Sequence, residues 1–246
     1  LIMTNKYMYF IANWKMFGNL RTLSTLKSVI SFTRKFKKNK FKIVYCPPST
    51  LLFPLSKKLK STQIEVGCQN CHQSTNYGAN TGQVNSRMLK DVGAKYIILG
   101  HSENRELGDS DRLINLKINS SIKSGLKVIF CIGETLQQKK KKMTKKVLAN
   151  QINLGLKKVS KKKDIFIAYE PVWAIGSGLI PKQSELYETI KFIKSKVKGV
   201  KVLYGGSVNP KNINQLKQID NVDGFLIGGA SQINNNFIDI IKKTFN

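Results

Sequence analysis

The sequence predicts an α/β protein that folds as a closed (β/α)8 barrel, and the alternation of its apolar runs is the main reason. Short apolar runs of strand length alternate with longer amphipathic stretches along all 246 residues. Such alternation indicates a parallel sheet, because parallel strands need crossover connections. Eight strand–helix units over this length favour a closed barrel above an open doubly wound sheet, and no G-x-G-x-x-G motif follows the first strand. We therefore expect residues 1–246 to form a single barrel domain.

Eight short apolar runs predict the strands. In chain order they are Tyr7–Ala12, Phe41–Cys46, Ile64–Gly67, Lys95–Leu99, Lys127–Cys131, Ile165–Tyr169, Val200–Tyr204 and Gly224–Ile227. Between them, apolar residues recur at three- and four-residue spacings, so that each set lies on one face of a predicted helix. The sets are Leu23, Leu26 and Ile30; Ile114, Ile118 and Ile122; Leu186, Ile190, Ile193 and Val197; and Phe237, Ile241 and Phe245.

The composition excludes several classes of protein. Hydrophobic residues make up 41% and charged residues 23%, as in folded proteins. No run approaches the roughly 18 apolar residues that a membrane span requires. The stretch from Leu1 to Ala12 lacks a basic segment and a cleavage site, so it predicts a first strand rather than a signal peptide.

The four cysteines indicate a reducing compartment. Cys68 and Cys71 have C-x-x-C spacing, but the chain contains no second pair at zinc spacing, which argues against a metal site. We expect these two residues, Cys46 and Cys131 to be reduced thiols in a cytoplasmic protein.

The net charge of +28, from 42 basic and 14 acidic residues, is unusual. Such a charge attracts nucleic acid or another polyanion, which leaves a basic polyanion-binding barrel with a secondary nucleic-acid role as an alternative. The lysines are spread over the predicted helices, with runs at 139–142 and 161–163, and few aromatic residues accompany them. A stacking platform for bases is therefore not indicated, and a solvated lysine-rich surface is favoured.

Polar residues and glycines follow the predicted strands at the point where each strand ends. They are Asn13 and Lys15 after the first strand, His101 after the fourth, Glu170 after the sixth, Gly205–Ser207 after the seventh and Gly228–Gly229 after the eighth. In a (β/α)8 barrel all these positions lie at the C-terminal mouth, where the βα-loops form the site.

The glycine pairs after the last two strands predict a phosphate site. Glycine lets the backbone approach an anion closely, and the N–H groups of the turn and of a following helix add partial positive charge. Ser207 adds a further N–H and a hydroxyl, and Lys15 is a candidate charge partner for the anion. Either pair alone would be an ordinary tight turn, whereas two at consecutive strand ends favour phosphate.

Glu170 has the features of a catalytic base under a lid. It follows a buried strand, and Pro171, the apolar tip Val172–Ile175 and the permissive segment Gly176–Gly178 come directly after it. The alternative is a surface glutamate beside an ordinary turn. His101 opens a helix-prone turn, and a helix N-terminus favours a neutral ring that can donate to a carbonyl oxygen.

A carboxylate base that faces a neutral imidazole suits proton abstraction from a carbon next to a carbonyl. A glycosidase would need a second carboxylate, for which Glu103 and Glu134 are candidates, but neither follows a strand as directly as Glu170 does. A nucleophilic Cys131 would need an adjacent base, and His101 is the candidate at the mouth.

Six motifs in order along the chain resemble the triosephosphate isomerase family. They are Asn13-Trp-Lys15, Gly100-His-Ser-Glu103, Cys131-Ile-Gly-Glu134, Ala168-Tyr-Glu-Pro-Val-Trp-Ala-Ile-Gly176, Tyr204-Gly-Gly-Ser-Val208 and Phe225-Leu-Ile-Gly-Gly-Ala230. The resemblance implies a TIM barrel that works as a homodimer in the cytoplasm. It also implies a cofactor-free isomerase that interconverts dihydroxyacetone phosphate and D-glyceraldehyde 3-phosphate through an enediolate, in glycolysis and gluconeogenesis.

The resemblance also implies a role for each matching residue. Glu170 would move the proton, His101 would polarise the carbonyl, and Lys15 would hold the dianion. Asn13 would orient the substrate oxygens, and Glu103 would support Lys15. The N–H groups of a further four residues would bind the phosphate: Gly176, Ser207, Gly228 and Gly229. Another phosphate-binding barrel with a larger substrate is the nearest alternative enzyme.

Three positions depart from the family pattern. Asn104 stands where the family has the first of two arginines, and Gln83 stands where it has a glutamate that pairs with that arginine across the dimer interface. Because both charges are lost together, we still expect a homodimer, in which the loop Gln69–Gln83 inserts into the partner. The lid ends in Leu179–Pro181, and the proline narrows the conformations available to this hinge.

Overall fold

A computed structural model of the chain describes residues 6–36 and 40–246, and these form a closed barrel of eight parallel strands with helices between them. The strands are β1 (Met8–Asn13), β2 (Phe41–Cys46), β3 (Glu65–Cys68), β4 (Tyr96–Leu99), β5 (Lys127–Ile132), β6 (Ile165–Tyr169), β7 (Lys201–Tyr204) and β8 (Gly224–Ile227). Each strand pairs with the next, and β1 pairs with β8 to close the barrel. The predicted fold class is therefore confirmed.

The predicted strand bounds agree with the structure to within one residue at each end. β1 includes Asn13, which was expected to follow the strand, because Asn13 pairs with Cys46 of β2. β5 likewise extends to Ile132, which pairs with Tyr169 of β6. The stretch Leu1–Ala12 was expected to form a first strand rather than a signal peptide, and its residues 1–5 lie outside the described residues. That residues 1–246 form one domain stays a prediction.

The helices pack around the barrel with the predicted apolar faces inward. They are α1 (Thr22–Thr25), α2 (Lys27–Lys35), α3 (Ser49–Leu59), α4 (Ser86–Asp91), α5 (Ser102–Glu106), α6 (Asp111–Lys123), α7 (Leu136–Lys140), α8 (Thr144–Gly155), α9 (Gln183–Lys196), α10 (Ile213–Leu216) and α11 (Asn234–Phe245). Every residue of the four predicted sets is buried except Ile30, which is partly buried against the core. No helix among the described residues is long and apolar enough to cross a membrane.

The strands are buried on both faces. Their side chains alternate, with a period of two residues, between the interior of the barrel and the surrounding helices. In β6, Ile165 and Ile167 pack in the cluster between the barrel and its helices. Phe166 and Ala168 belong instead to the separate cluster inside the barrel. The residue that continues this inward series is Glu170, so the alternation alone directs its carboxylate into the mouth.

At the opposite, N-terminal end of the barrel, Asp223 ties three elements together. Its carboxylate lies 2.9 Å from Lys6 Nζ and 2.7 Å from Lys194 Nζ, and it accepts a hydrogen bond of 2.8 Å from the backbone N–H of Val202. Burial by itself would raise the pKa of Asp223, but the hydrogen bonds from Lys194, Val202 and Lys6 outweigh burial and lower it.

We expect Asp223→Asn to lower the free energy of unfolding by about 1 to 3 kcal/mol, because a buried charged hydrogen-bond acceptor is lost. Since the folded-state pKa is lowered, the stabilisation is complete above the unfolded value near 3.9 and disappears as the pH falls through the folded value. Urea unfolding of the variant at neutral and acidic pH measures this, with the exposed Asp220→Asn as the control. An undiminished difference at low pH would contradict the assignment.

Candidate active site

Glu170 is a carboxylate buried at the end of β6. Only 2% of the residue is exposed, and its backbone N–H donates to the carbonyl of Ile132 at 2.8 Å. Burial raises the pKa of Glu170 above its usual value, although His101, Cys131 and Lys15 oppose this effect. A carboxylate with a raised pKa is a stronger base than one in water, which suits it to abstract a proton.

Two glycines leave the space that Glu170 occupies. A Cβ atom on Gly205 would lie 2.7 Å from Glu170 Cγ, and a Cβ atom on Gly133 would lie 1.8 Å from its carbonyl oxygen. Gly205 follows β7 and Gly133 follows β5, so they flank Glu170 on the two neighbouring strands. A larger residue at 205 would displace the side chain of Glu170, and one at 133 would displace its backbone.

His101 faces Glu170 across the mouth. Only 5% of the residue is exposed, and its Nε2 lies 3.5 Å from Glu170 Oε1. His101 is the N-cap of α5, and its Nδ1 accepts a hydrogen bond of 3.3 Å from the backbone N–H of Glu103. An Nδ1 that accepts a hydrogen bond leaves the proton of a neutral ring on Nε2. The ring therefore presents a donor to the cavity.

Lys15 and Asn13 lie on the β1 side of the same cavity. Lys15 has a positive φ of 54°, which is unfavourable for a residue with a side chain, and its N–H donates to Asn13 Oδ1 at 3.1 Å. Its Nζ lies 2.7 Å from Glu103 Oε1. Gln69 Nε2 donates to the Lys15 carbonyl at 2.9 Å and so fixes the strained turn. The turn directs the ammonium group towards the space in front of His101, since both residues line the cavity.

The cavity in front of these residues has a volume of about 200 Å³ and ends at the glycine turns. Gly229 opens a 3-10 helix, Gly229–Gln232, and the first N–H groups of a helix have no partner within it. Gly228, Gly176 and Ser207 also line this end of the cavity. The N–H of Ser207 donates to the carbonyl of Ala174 at 3.0 Å, so this donor becomes free for an anion only when the lid moves.

The predicted lid lies over the cavity. Its start is a 3-10 helix, Val172–Ala174, and Ile175 and Gly176 line the cavity that contains Glu170. Trp173 Nε1 donates to Glu134 Oε1 at 3.0 Å. At the other end, Leu179 is 59% exposed, whereas Pro181 of the same hinge is buried.

The structure brings together all nine residues predicted for the site, since Glu103 contacts Lys15 and the others line the cavity. Sequence reasoning placed Gly205 in a phosphate turn and Gln69 in the dimer loop, but it did not predict that these two residues and Gly133 position Glu170 and Lys15. Gly133 lies within a motif that was noted, but a single glycine does not reveal which neighbouring group occupies the space of its missing Cβ. Gln69 is distant in sequence from Lys15, and only the fold brings the two together.

The cysteines do not offer an alternative nucleophile. All four are free and buried. Burial raises the pKa of the Cys131 thiol well above its usual value, and the neighbouring Glu170 carboxylate adds to the effect. A buried thiol with a raised pKa is unreactive. Among residues 6–36 and 40–246, no group of three or more metal-ligating side chains is placed to bind a metal ion.

The C-terminal mouth contains a buried carboxylate, an imidazole donor and glycine turns. These features define the class of (β/α)8-barrel enzymes that use acid–base catalysis and bind an anion in a pocket at the mouth. The family model described as triosephosphate isomerase matches residues 8–244. The chain therefore belongs to the triosephosphate isomerase family, as its motifs indicated.

Individual relatives agree with this. The triosephosphate isomerase of Thermodesulfovibrio yellowstonii is 40% identical over 244 residues, which cover 95% of this chain and 98% of the relative. The Aquifex aeolicus protein of the same name is 38% identical, with coverage of 94% and 96%. The crystal structure of triosephosphate isomerase from Bartonella henselae superposes with a TM-score of 0.87 at 33% identity and covers 96% of this chain and 98% of its own.

We expect Glu170→Gln to raise the melting temperature by a few degrees at neutral pH. Because burial raises the folded-state pKa of Glu170, the ionised carboxylate opposes folding increasingly as the pH rises through that value. A neutral amide of the same size removes this cost. Calorimetry at pH 7 and pH 4 measures the effect, which should shrink at pH 4, with the exposed Glu188→Gln as control. A melting temperature lower than that of the wild type at pH 7 would contradict the argument.

Proposed function

We propose that the chain interconverts dihydroxyacetone phosphate and D-glyceraldehyde 3-phosphate, without a cofactor, as a step of glycolysis and gluconeogenesis. The observation that supports this most is the pairing of Glu170 with His101, in which Glu170 Oε1 lies 3.5 Å from His101 Nε2. The two residues lie at one end of a cavity, and the glycine turns lie at its other end. The relatives at 38–40% identity are named triosephosphate isomerases.

In the proposed reaction, Glu170 removes a proton from one carbon of the substrate and returns it to the neighbouring carbon. His101 donates its Nε2 proton to the carbonyl oxygen and stabilises the enediolate, while Lys15 neutralises its negative charge. Asn13 orients the substrate oxygens, and Glu103 holds Lys15. This division of roles is the one known for triosephosphate isomerases.

The far end of the cavity would bind the phosphate. The N–H groups of Gly228 and Gly229, together with those of Gly176 and Ser207, would donate to its oxygens. Binding at Ser207 requires that its N–H leave the carbonyl of Ala174, so phosphate binding and lid movement are coupled. A closed lid excludes water, which protects an enediolate that would otherwise eliminate phosphate.

A coupled assay on the purified protein tests the proposal. We expect turnover of glyceraldehyde 3-phosphate, and we expect Glu170→Gln to lower kcat about a hundredfold to ten-thousandfold, because the amide cannot accept the proton. Glu188→Gln is the control, since this glutamate is exposed on α9. A wild-type protein without turnover, or an undiminished rate in Glu170→Gln, would overturn the assignment.

We also propose a homodimer in which the loop Gln69–Gln83 inserts into the partner. A cavity of about 420 Å³ lies beside this loop and is lined by Gln83, Asn104 and Leu107. A second cavity shares Leu107 and Asn104 with the first and extends to Lys15 and His101. A partner that fills these cavities would therefore contact the turn that positions Lys15.

Exposed apolar side chains that line these cavities or lie on the loop Gln69–Gln83 support the dimer. Met16 is 98% exposed, Leu107 87% and Tyr77 71%, and a monomer would leave all three in water. The two residues that depart from the family, Gln83 and Asn104, line the same cavity. Within the chain, Asn104 accepts a hydrogen bond of 3.3 Å from Asn70, and neither Gln83 nor Asn104 carries a charge of the family's ion pair.

We expect Leu107→Glu to convert the dimer into a monomer with reduced turnover, because a buried charge without a partner is costly in an interface. Light scattering coupled to gel filtration gives the mass, and the coupled assay gives the rate. Leu154→Glu, on the exposed side of α8, is the matched control. A wild-type protein with the mass of one chain would contradict the proposed dimer.

We also propose that the protein is located in the cytoplasm. Four buried cysteines without a disulfide suit a reducing compartment, and triose phosphates of glycolysis are metabolised there.

A further inference from the structure

The tip of the lid is held from one side by a buried carboxylate. Glu134 is 1% exposed, and it accepts hydrogen bonds from Trp173 Nε1 at 3.0 Å and from Tyr169 Oη at 3.2 Å. A buried carboxylate depends on its donors, because it has lost its hydration. The position of the Trp173 indole is therefore tied to Glu134.

A cation covers the face of the same indole. Lys139 Nζ lies 3.9 Å from the centroid of the Trp173 ring, well within the distance at which an ammonium group is attracted to an aromatic face. Lys139 belongs to α7, a short helix whose start is fixed by a capping box between Thr135 and Gln138. The lysine therefore extends towards the lid from an anchored element.

The same ammonium group is bound to the helix that follows the lid. Lys139 Nζ lies 2.9 Å from Oε2 of Glu185, in the first turn of α9. Both side chains are partly exposed, at 31% and 49%, so the ion pair by itself stabilises the fold little. Its effect is positional, because it restricts where the long lysine side chain can place its charge.

Lys139 thus connects the two ends of the lid. It contacts Trp173 near the start, and Glu185 follows closely after the hinge residue Pro181. A cavity of about 240 Å³ behind the lid is lined by Lys139, Glu185, Pro181 and Glu134, which places the pair beside both the hinge and the buried carboxylate.

We propose that Lys139 is a positioning residue that restrains the start of the lid, through the face of the Trp173 indole, with Glu185 as its anchor. Its consequence for catalysis rests on the proposed isomerase function. When the restraint is removed, the start of the lid is less ordered, and the lid covers the bound substrate less completely. An incompletely covered enediolate breaks its C–O bond to phosphate as the electron pair of its oxygen forms a carbonyl, and the resulting enol takes up a proton at carbon to give methylglyoxal and inorganic phosphate. This elimination needs no oxidant or reductant.

Hydrogen exchange of the unliganded protein tests the restraint independently of activity. We expect the amides of the segment 172–180 to exchange about fivefold faster in Lys139→Met, which keeps the apolar stem but removes the charge from the indole. Lys139→Arg should exchange like the wild type, because a guanidinium group can stack on the ring and pair with Glu185. Lys140→Met, on the exposed side of the same helix, is the matched control.

The ratio of inorganic phosphate released to substrate isomerised tests the catalytic consequence. We expect this ratio to rise about fivefold in Lys139→Met and to return to the wild-type value in Lys139→Arg. Unchanged lid exchange in Lys139→Met, or equal acceleration in Lys139→Arg or Lys140→Met, would overturn the inference. A wild-type protein without isomerase turnover would instead overturn the proposed function, and the exchange measurement would still decide on the restraint.

Discussion

The burial of one carboxylate, that of Glu170, is the constraint on which the rest of the site depends. Its desolvation raises its pKa and makes it a base, but it also opposes folding at neutral pH. The barrel offsets part of this free-energy cost by the surroundings that it gives the carboxylate. Strand alternation directs the side chain inward, and Gly205 leaves room for it while Gly133 leaves room for its backbone carbonyl. His101 provides a polar neighbour at 3.5 Å.

The loops around Glu170 are fixed by contacts between elements that are distant in sequence. Gln69 holds the strained turn at Lys15, Glu103 holds its ammonium group, and Glu134 holds the Trp173 indole. Each contact places a polar or charged group of one βα-loop against another loop. Direct contacts of this kind therefore join the βα-loops of the C-terminal mouth to one another.

The few carboxylates of this basic chain have defined structural uses. Of its 14 acidic residues, Asp223 joins three elements at the N-terminal end of the barrel, Asp109 forms a buried pair with Lys117, and Glu185 anchors Lys139. Most lysines of the described residues, in contrast, are exposed on helices, turns and loops, where an additional charge costs little stability. A secondary polyanion-binding role stays the untested alternative to the solvated lysine-rich surface that the sequence favours.

The sequence by itself determined the barrel, the inward faces of its helices and the chemistry of the mouth, because these follow from local periodicity and from residue types at strand ends. Strand ends were predicted to within one residue, and Asn13 proved to belong to β1 only because it pairs with Cys46. The tertiary structure alone decided that Gly205 faces Glu170, that Ser207 binds the lid and that Lys139 covers Trp173. Such contacts join residues from different loops, and their distances depend on how the whole barrel closes.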